Sequence, residues 1–382
     1  MAPTDAFERI LGQPHVRSFL RSVVASGHVG QSYLFTGPAG SNKTLAAYAF
    51  AQAIVCPAGG CGTCDDCKRV MRRRHPDVRY FVPEGAGGYL VSQIREIVSD
   101  VSLAPIQAEK KVYIIDRADL LGVQAANAFL KTLEEPPDDT VMILLGRTRE
   151  SVLSTIVSRC QVVPFRHIPN REAAGIVSQN TGASALQSAI AIQACAGSIS
   201  KGIEFVKSNE RLEFRGRVMQ VMESLRLADD LDIIGYVTDL LKRMKAPLDL
   251  ARSEQEKDLA ESADFMAKSA IRQIELRNKR ALTAKSTENL RQTTAIMRSW
   301  IRDVLMVCAG TSDLIINKDV AEGIEEAAAY TDAPAAALAL KAIDETDAAI
   351  AYNVSPETCM DVLLLQIRKV LYGSHSAGEA GI

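Results

Sequence analysis

The sequence predicts an α/β domain built on a parallel sheet, followed by an all-helical remainder. Three observations carry this. Short apolar strand patterns alternate with helical ones over the first 165 or so residues. A glycine-rich turn follows the first strand pattern directly, and beyond residue 166 the strand patterns fade. Strands separated by helices imply parallel pairing with both sheet faces covered.

The elements follow in order. Pro14 to Val24 reads as a helix, with Val16, Phe19, Leu20 and Val23 on one stripe. Ser32 to Thr36 is a short apolar strand, and Leu45 to Val55 is an alanine-rich helix. Lys111 to Asp116 is a buried-type strand closed by an acid, Ala118 to Leu133 a helix stopped by Pro136 and Pro137, and Val141 to Leu145 another strand. Pro169 to Val206 reads as a small helical unit with a break at Ala196-Gly197-Ser198. From Arg211 the pattern is helical almost throughout. Ser253 to Lys285 carries charges of both signs, as on a solvated helix, and Arg291 to Ala309 is amphipathic and holds the single tryptophan, Trp300. Ser374 to Ile382 is small and polar and reads as a frayed end. The expected division is residues 1–166, 167–208 and 209–382.

Composition narrows the class. The 382 residues suffice for two or three cores, and 47% hydrophobic with 24% charged residues is ordinary for a globular protein. A net charge of -2 exerts no global pull on nucleic acid, so any such contact must be local. Met1 to Arg9 lacks an apolar core, and no apolar run reaches the roughly 18 residues of a membrane span, so a cytoplasmic location is expected.

After the first strand comes Gly37-Pro38-Ala39-Gly40-Ser41-Asn42-Lys43-Thr44. A phosphate-binding loop needs Gly, four free positions, then Gly-Lys-Ser/Thr. Asn42 stands where the second glycine belongs. Asparagine is the next most tolerant residue of positive φ, so the loop can survive the exchange. Lys43 then reaches phosphates and Thr44 binds Mg²⁺; the alternative is a loop that holds the fold and binds nothing. Asp116 fits the strand-end acid that holds Mg²⁺. The next position, where many such ATPases place a water-polarising glutamate, is Arg117, which cannot act as a base. Asp119 or a neighbouring chain is left to supply one.

Cys56, Cys61, Cys64 and Cys67 follow as Cys-x4-Cys-x2-Cys-x2-Cys, with Gly59, Gly60 and Gly62 for tight turns. Four thiolates at such spacing suit structural Zn²⁺, with an iron–sulfur cluster or free thiols as alternatives. Cys195, Cys308 and Cys359 lie in apolar helical contexts and read as core. Lys68, Arg69, Arg72, Arg73, Arg74 and Arg79 form a basic stretch, either a phosphate-backbone contact or a solvated helix face. His75-Pro76-Asp77 marks a turn. Ser158-Arg159-Cys160 places an arginine at the edge of the domain.

Taken together these motifs resemble the bacterial clamp-loader subunits of DNA polymerase III. The resemblance rests on Ile10-Leu11-Gly12-Gln13, Tyr33 to Pro38, the four-cysteine insert, His75-Pro76-Asp77, Asn127 to Pro137 (Asn-Ala-Phe-Leu-Lys-Thr-Leu-Glu-Glu-Pro-Pro) and Ser158-Arg159-Cys160. It covers residues 7 to 165, and Trp300 to Asp319 is similar to the helical collar of delta-prime subunits. The resemblance implies an AAA+-type P-loop domain, a small helical lid and an all-α collar. It implies a hetero-pentamer with gamma/tau and delta subunits that uses ATP and Mg²⁺ to load a sliding clamp on primer–template DNA. Asn42 and Arg117 favour the delta-prime kind, with weak or absent ATPase of its own within the polymerase holoenzyme. Arg159 would then act as an arginine finger on a neighbour's ATP, with Ser158 orienting the turn and Cys160 packing behind it. The gamma/tau-type motor, which binds and hydrolyses ATP itself, is the alternative; an unrelated zinc-containing nucleic-acid binder is a third.

Overall fold

The computed structural model describes residues 5–85, 87–262, 268–350 and 354–373. The polar end, Ser374 to Ile382, and part of the charged stretch, residues 263–267, lie outside the described residues. Two compact units appear, Met1–Ile176 with Gly197–Ser200, and Val177–Ala196 with Lys201–Ile382.

The first unit is built on five parallel strands, β1 (Ser32–Thr36), β2 (Val78–Phe81), β3 (Lys111–Ile115), β4 (Thr140–Gly146) and β5 (Gln161–Pro164), in the spatial order β2-β3-β4-β1-β5. Every residue of β3 and β4 is buried, as befits central strands covered on both faces. The helices are α1 (Pro14–Ala25), α2 (Lys43–Val55), α3 (Asp65–Met71), α4 (Val91–Val101), α5 (Val123–Glu134) and the single turn α6 (Ser154–Val157). One core lies under α1 and α2, around Phe35, Phe50 and Ile143; a second lies under α4 and α5, around Ile97, Phe129 and Leu144. Helix α2 is apolar on almost every side because it is almost wholly buried, and its alanines let it lie close to the sheet. The sequence leaves β2, β5 and α4 unassigned. The long helix expected over Ala118 to Leu133 is interrupted: a 3-10 turn, Ala118–Leu120, precedes α5, because Arg117 is left-handed at φ 54 and Gly122 is extended.

Every element of the second unit among its described residues is a helix. Helices α7 (Asn170–Thr181) and α9 (Ile199–Val206) span the division between the units, and α8 (Ala185–Ala194) lies between them. The expected break is present, with Ala196 and Gly197 both at positive φ. Then follow α10 (Asn209–Ser224), α11 (Asp230–Ser262), α12 (Lys268–Cys308), α13 (Ala321–Ala329), α14 (Ala333–Ile350) and α15 (Pro356–Tyr372). Trp300 is fully buried in their shared core. The segment after α12 is pinned by the buried Asp303, whose carboxylate accepts from the backbone N–H of Ile316 (3.1 Å) and Asn317 (2.8 Å). No helix among the described residues is long and apolar enough to cross a membrane.

Candidate nucleotide loop, cysteine cluster and exposed arginine

The phosphate loop joins β1 to α2. Gly37 donates its N–H to the carbonyls of Gly146 (3.3 Å) and Arg147 (3.0 Å), tying the loop to the end of β4. A Cβ at Gly37 would meet the Phe165 carbonyl at 2.6 Å, so only glycine fits. Asn42 takes the left-handed conformation, φ 67 and ψ 22, that a glycine would take there. Its amide also braces the loop: Nδ2 donates to the Leu11 carbonyl (3.0 Å), and Oδ1 accepts from the Ser200 hydroxyl (3.3 Å). Gln13 adds a second brace, donating to the carbonyls of Ser41 (3.2 Å) and Arg166 (2.8 Å). The Ile10-Leu11-Gly12-Gln13 motif therefore acts as the loop's clamp.

Lys43 lies back over the loop, with Nζ donating to the carbonyls of Gly37 (2.5 Å) and Pro38 (2.8 Å). Burial pushes its ammonium down to about 8, against the opposing pull of Asp116 and Asp119, while Arg147 adds to the depression. Thr44 and Gly40 stand on the same loop, Gly40 at φ 78. Because β4 lies between β1 and β3, the ends of three adjacent strands present Gly37, Arg147 and Asp116 in a row. Arg147, exposed beside Lys43, is a feature of this site that sequence reasoning missed.

Both oxygens of Asp116 are engaged. Oδ2 accepts from the Tyr80 hydroxyl at 2.6 Å and Oδ1 from the Arg117 N–H at 2.9 Å. Tyr80 packs against Tyr48 with ring centroids 5.7 Å apart, and the Arg73 guanidinium lies over both rings, at 5.1 Å from Tyr48 and 5.7 Å from Tyr80. Burial and the adjacent Asp116 charge raise the Tyr80 hydroxyl well above its ordinary value, so it stays a donor. Arg117 turns toward Asp119, Nε to Oδ2 at 3.5 Å. The Asp119 side chain is only 8% exposed, and its Oδ1 has no hydrogen-bond partner among the described residues. The loop and the strand-end acid are thus in place, while the neighbouring position offers a guanidinium.

The four sulfurs of Cys56, Cys61, Cys64 and Cys67 lie within 4.8 Å of one another. Cys56 is 3.8 Å from Cys61 and 3.7 Å from Cys64, and Cys61 is 4.0 Å from Cys67. Disulfides need sulfurs about 2.05 Å apart, so no pair is bonded. A tetrahedral thiolate site with metal–sulfur bonds of about 2.3 Å has edges of about 3.8 Å, so the cluster fits such an ion. Backbone N–H groups point at the sulfurs, Gly62 to Cys67 (3.3 Å) and Cys67 to Cys64 (3.4 Å). The hydroxyl of Thr63, then nearby backbone donors, pull the Cys61 thiol down to about 6, whereas burial raises Cys67.

His75 and Asp77 do structural work. His75 is buried and accepts the Asp77 N–H on Nδ1 at 3.1 Å. The buried Asp77 carboxylate accepts the N–H groups of Ile106 (2.6 Å), Gln107 (2.8 Å) and Ala108 (2.8 Å), fixing the chain before β3. Part of the basic stretch is engaged within the chain: Arg69 donates to Gln107 (2.6 Å), Arg79 lies 3.8 Å from Asp100, and Arg73 is stacked on tyrosines. Arg72 and Arg74 are exposed.

Arg159 follows α6. Its Nη1 donates to the Thr155 carbonyl (2.8 Å) and the Ser158 hydroxyl (3.2 Å). Its Nε (2.6 Å) and Nη2 donate to Glu134 Oε1 at the end of α5. Cys160 is half-buried, and burial pushes its thiol up to about 12.

Comparison with known proteins finds similar chains among DNA polymerase III subunits. A family model described as DNA polymerase III, delta subunit, matches residues 12–169. The delta-prime subunit of Bacillus subtilis is 31% identical over 217 residues, 56% of this chain and 65% of that protein. The tau subunit of the same organism is 31% identical over 245 residues, 62% of this chain and 43% of that protein. The chain thus spans less than two thirds of either relative's length. A solved structure, a DNA polymerase III gamma subunit-related protein from Thermotoga maritima, aligns over 93% of this chain and 99% of that one, at 17% identity and a TM-score of 0.47. The chain is thus similar to DNA polymerase III subunits of the delta-prime and tau kinds, and its residues 12–169 match the delta-subunit model.

Proposed function

We propose that the chain is a stator-like clamp-loader subunit. It would sit in a hetero-pentamer with gamma/tau and delta subunits and supply Arg159 to an adjacent motor subunit's ATP site. That ring would load a sliding clamp onto primer–template DNA, in the cytoplasm. The observation that carries the reading is a pairing of opposites within one unit. Arg117, engaged with Asp119, occupies the place of the water-activating acid, while Arg159 stands partly exposed on the turn after α6. A guanidinium reaching a neighbour's γ-phosphate stabilises charge that grows in the transition state.

In the same reading the sheet domain spans 1–166, the lid 167–208 and the collar 209–382. Zn²⁺ would occupy the four cysteines as a closed structural site, since all four ligands are protein sulfurs. Gly37, Gly40, Asn42, Lys43, Thr44 and Asp116 would hold a nucleotide without turning it over. Mg²⁺, when bound, would supply charge neutralisation between the phosphates.

The second reading, a self-sufficient motor of the gamma/tau kind, draws on the intact loop geometry at Asn42 and on the retained Lys43 and Asp116. The isolated chain separates the two. The stator reading expects no steady ATP hydrolysis from it; turnover abolished by Lys43→Ala would establish the motor instead.

A further inference from the structure

A guanidinium carries five N–H donors. In this chain four of Arg159's are already committed. One on Nε and one on Nη2 go to Glu134 Oε1, and two on Nη1 go to the Thr155 carbonyl (2.8 Å) and the Ser158 hydroxyl (3.2 Å). One N–H on Nη2 remains. A forked grip on a phosphate takes two parallel N–H groups, so at least one present partner has to be surrendered.

Charge identifies which. The Thr155 carbonyl and Ser158 hydroxyl are neutral and orient the guanidinium without cancelling it. Glu134 is an anion, and the Arg159–Glu134 pair is close to neutral as a unit. A neutral pair presents a developing phosphoryl charge with a dipole, not a cation, and leaves a carboxylate within repulsive reach of the phosphate. Glu134 is the last residue of α5 and is followed by Glu135, Pro136 and Pro137, so its backbone is anchored by a helix on one side and stiffened by prolines on the other. The two side chains are 46% and 29% exposed, so solvent weakens the pair and leaves it exchangeable.

We propose that Glu134 is an intrachain competitor for Arg159. It holds the guanidinium sheathed until a neighbour's γ-phosphate displaces it. Glu134 is on this account a positioning residue, acting only through Arg159, and the proposal rests on the finger reading of Arg159. It gives the Glu134-Glu135-Pro136-Pro137 turn a task that neither the nucleotide loop nor the cysteine cluster requires.

The test uses the complex reconstituted with motor and delta subunits, with ATP turnover measured in the absence of clamp and primed DNA. Glu134→Gln keeps the shape and removes the charge. It is expected to raise kcat at the site served by Arg159 by roughly two- to fivefold, the range an exposed ion pair supports. Glu134→Asp, which restores the charge, is expected to return toward the wild-type rate, and adding Arg159→Ala to Glu134→Gln is expected to erase the gain. A Glu134→Gln rate at or below wild type, in a complex that Arg159→Ala does impair, overturns the competitor and leaves the finger standing. If Arg159→Ala alone changes nothing, the finger reading fails and the competitor falls with it.

Discussion

The Tyr80 hydroxyl donates to Asp116 Oδ2 at 2.6 Å, so the acid proposed to hold Mg²⁺ is already bonded from within the chain. The donor comes from β2, which pairs in register with β3 so that Tyr80 faces Ile114, two residues before the acid. Arg73, at φ 57 just after α3, covers the Tyr80 ring from the side of the cysteine cluster. The strand-end acid and the end of the helix that carries Cys67, with Cys64 as its N-cap, thus meet through two aromatic rings.

Tyr80→Phe removes this donor and frees Asp116 for a cation. In the wild-type chain, Mg²⁺ is expected to alter ATP affinity only weakly. In Tyr80→Phe the Mg²⁺ effect is expected to grow by about tenfold, the scale of a hydrogen bond to a charged group. Equilibrium binding of a fluorescent ATP analogue, with Mg²⁺ and with chelator, measures it. An identical Mg²⁺ effect in both proteins would show that the Tyr80 contact does not govern the acid.

Asn42 has two tasks, a left-handed backbone and a hydrogen bond to Leu11, and two substitutions separate them. Asn42→Gly keeps the backbone and loses the bond, at a cost of about 1 kcal/mol. Asn42→Ala loses both, at a cost of about 2 kcal/mol, because an L side chain without local hydrogen bonding resists that conformation. Urea unfolding should rank wild type above Asn42→Gly and Asn42→Ala last. Glycine falling below alanine would contradict the backbone argument.

Asp77 ties three consecutive backbone N–H groups, and these bonds outweigh its burial to hold its carboxyl below the usual range. A depressed carboxylate stabilises the fold at pH values above its unfolded pKa, and that stability is lost as pH falls through the folded value. Asp77→Asn should therefore cost about 1–3 kcal/mol at neutral pH and progressively less under acid conditions. Thermal unfolding across an acid pH series checks both points. A deficit that stays constant with pH would exclude the charge as its source.

The sulfur tetrahedron predicts stoichiometric zinc in the purified chain, released by a strong chelator with loss of order around Cys56 to Arg72. Cys67→Ser, at a buried ligand, should lower the metal content and the unfolding temperature together. Elemental analysis beside calorimetry reads both, and full stability without metal would refute a structural role.

Geometry encoded in short windows was legible in sequence. The cysteine spacing, the loop Gly37 to Thr44 and the acid at the end of a buried strand all lie within short windows, and the positive φ of Asn42 followed from its residue type. What stayed hidden depended on which strands are neighbours. Val78–Phe81 buries only its first residue fully and Gln161–Pro164 only its third, because both are edge strands and lack the apolar run of a central one. Without β2 in place, Tyr80 has no path to Asp116. Without β4 between β1 and β3, Arg147 has no reason to stand beside Lys43. Glu134 lies in the Asn127 to Pro137 run, yet its contact with Arg159 joins residues 25 apart and needed the fold to appear.

In the stator reading this chain acts on another subunit's nucleotide and not on its own. Single-turnover ATP hydrolysis in the reconstituted complex tests it most directly, comparing Arg159→Ala with Lys43→Ala in this subunit alone. The stator account predicts that Arg159→Ala slows the adjacent motor site by about 10³-fold, while Lys43→Ala leaves hydrolysis intact. Unimpaired hydrolysis with Arg159→Ala, or loss of it with Lys43→Ala, would contradict the account.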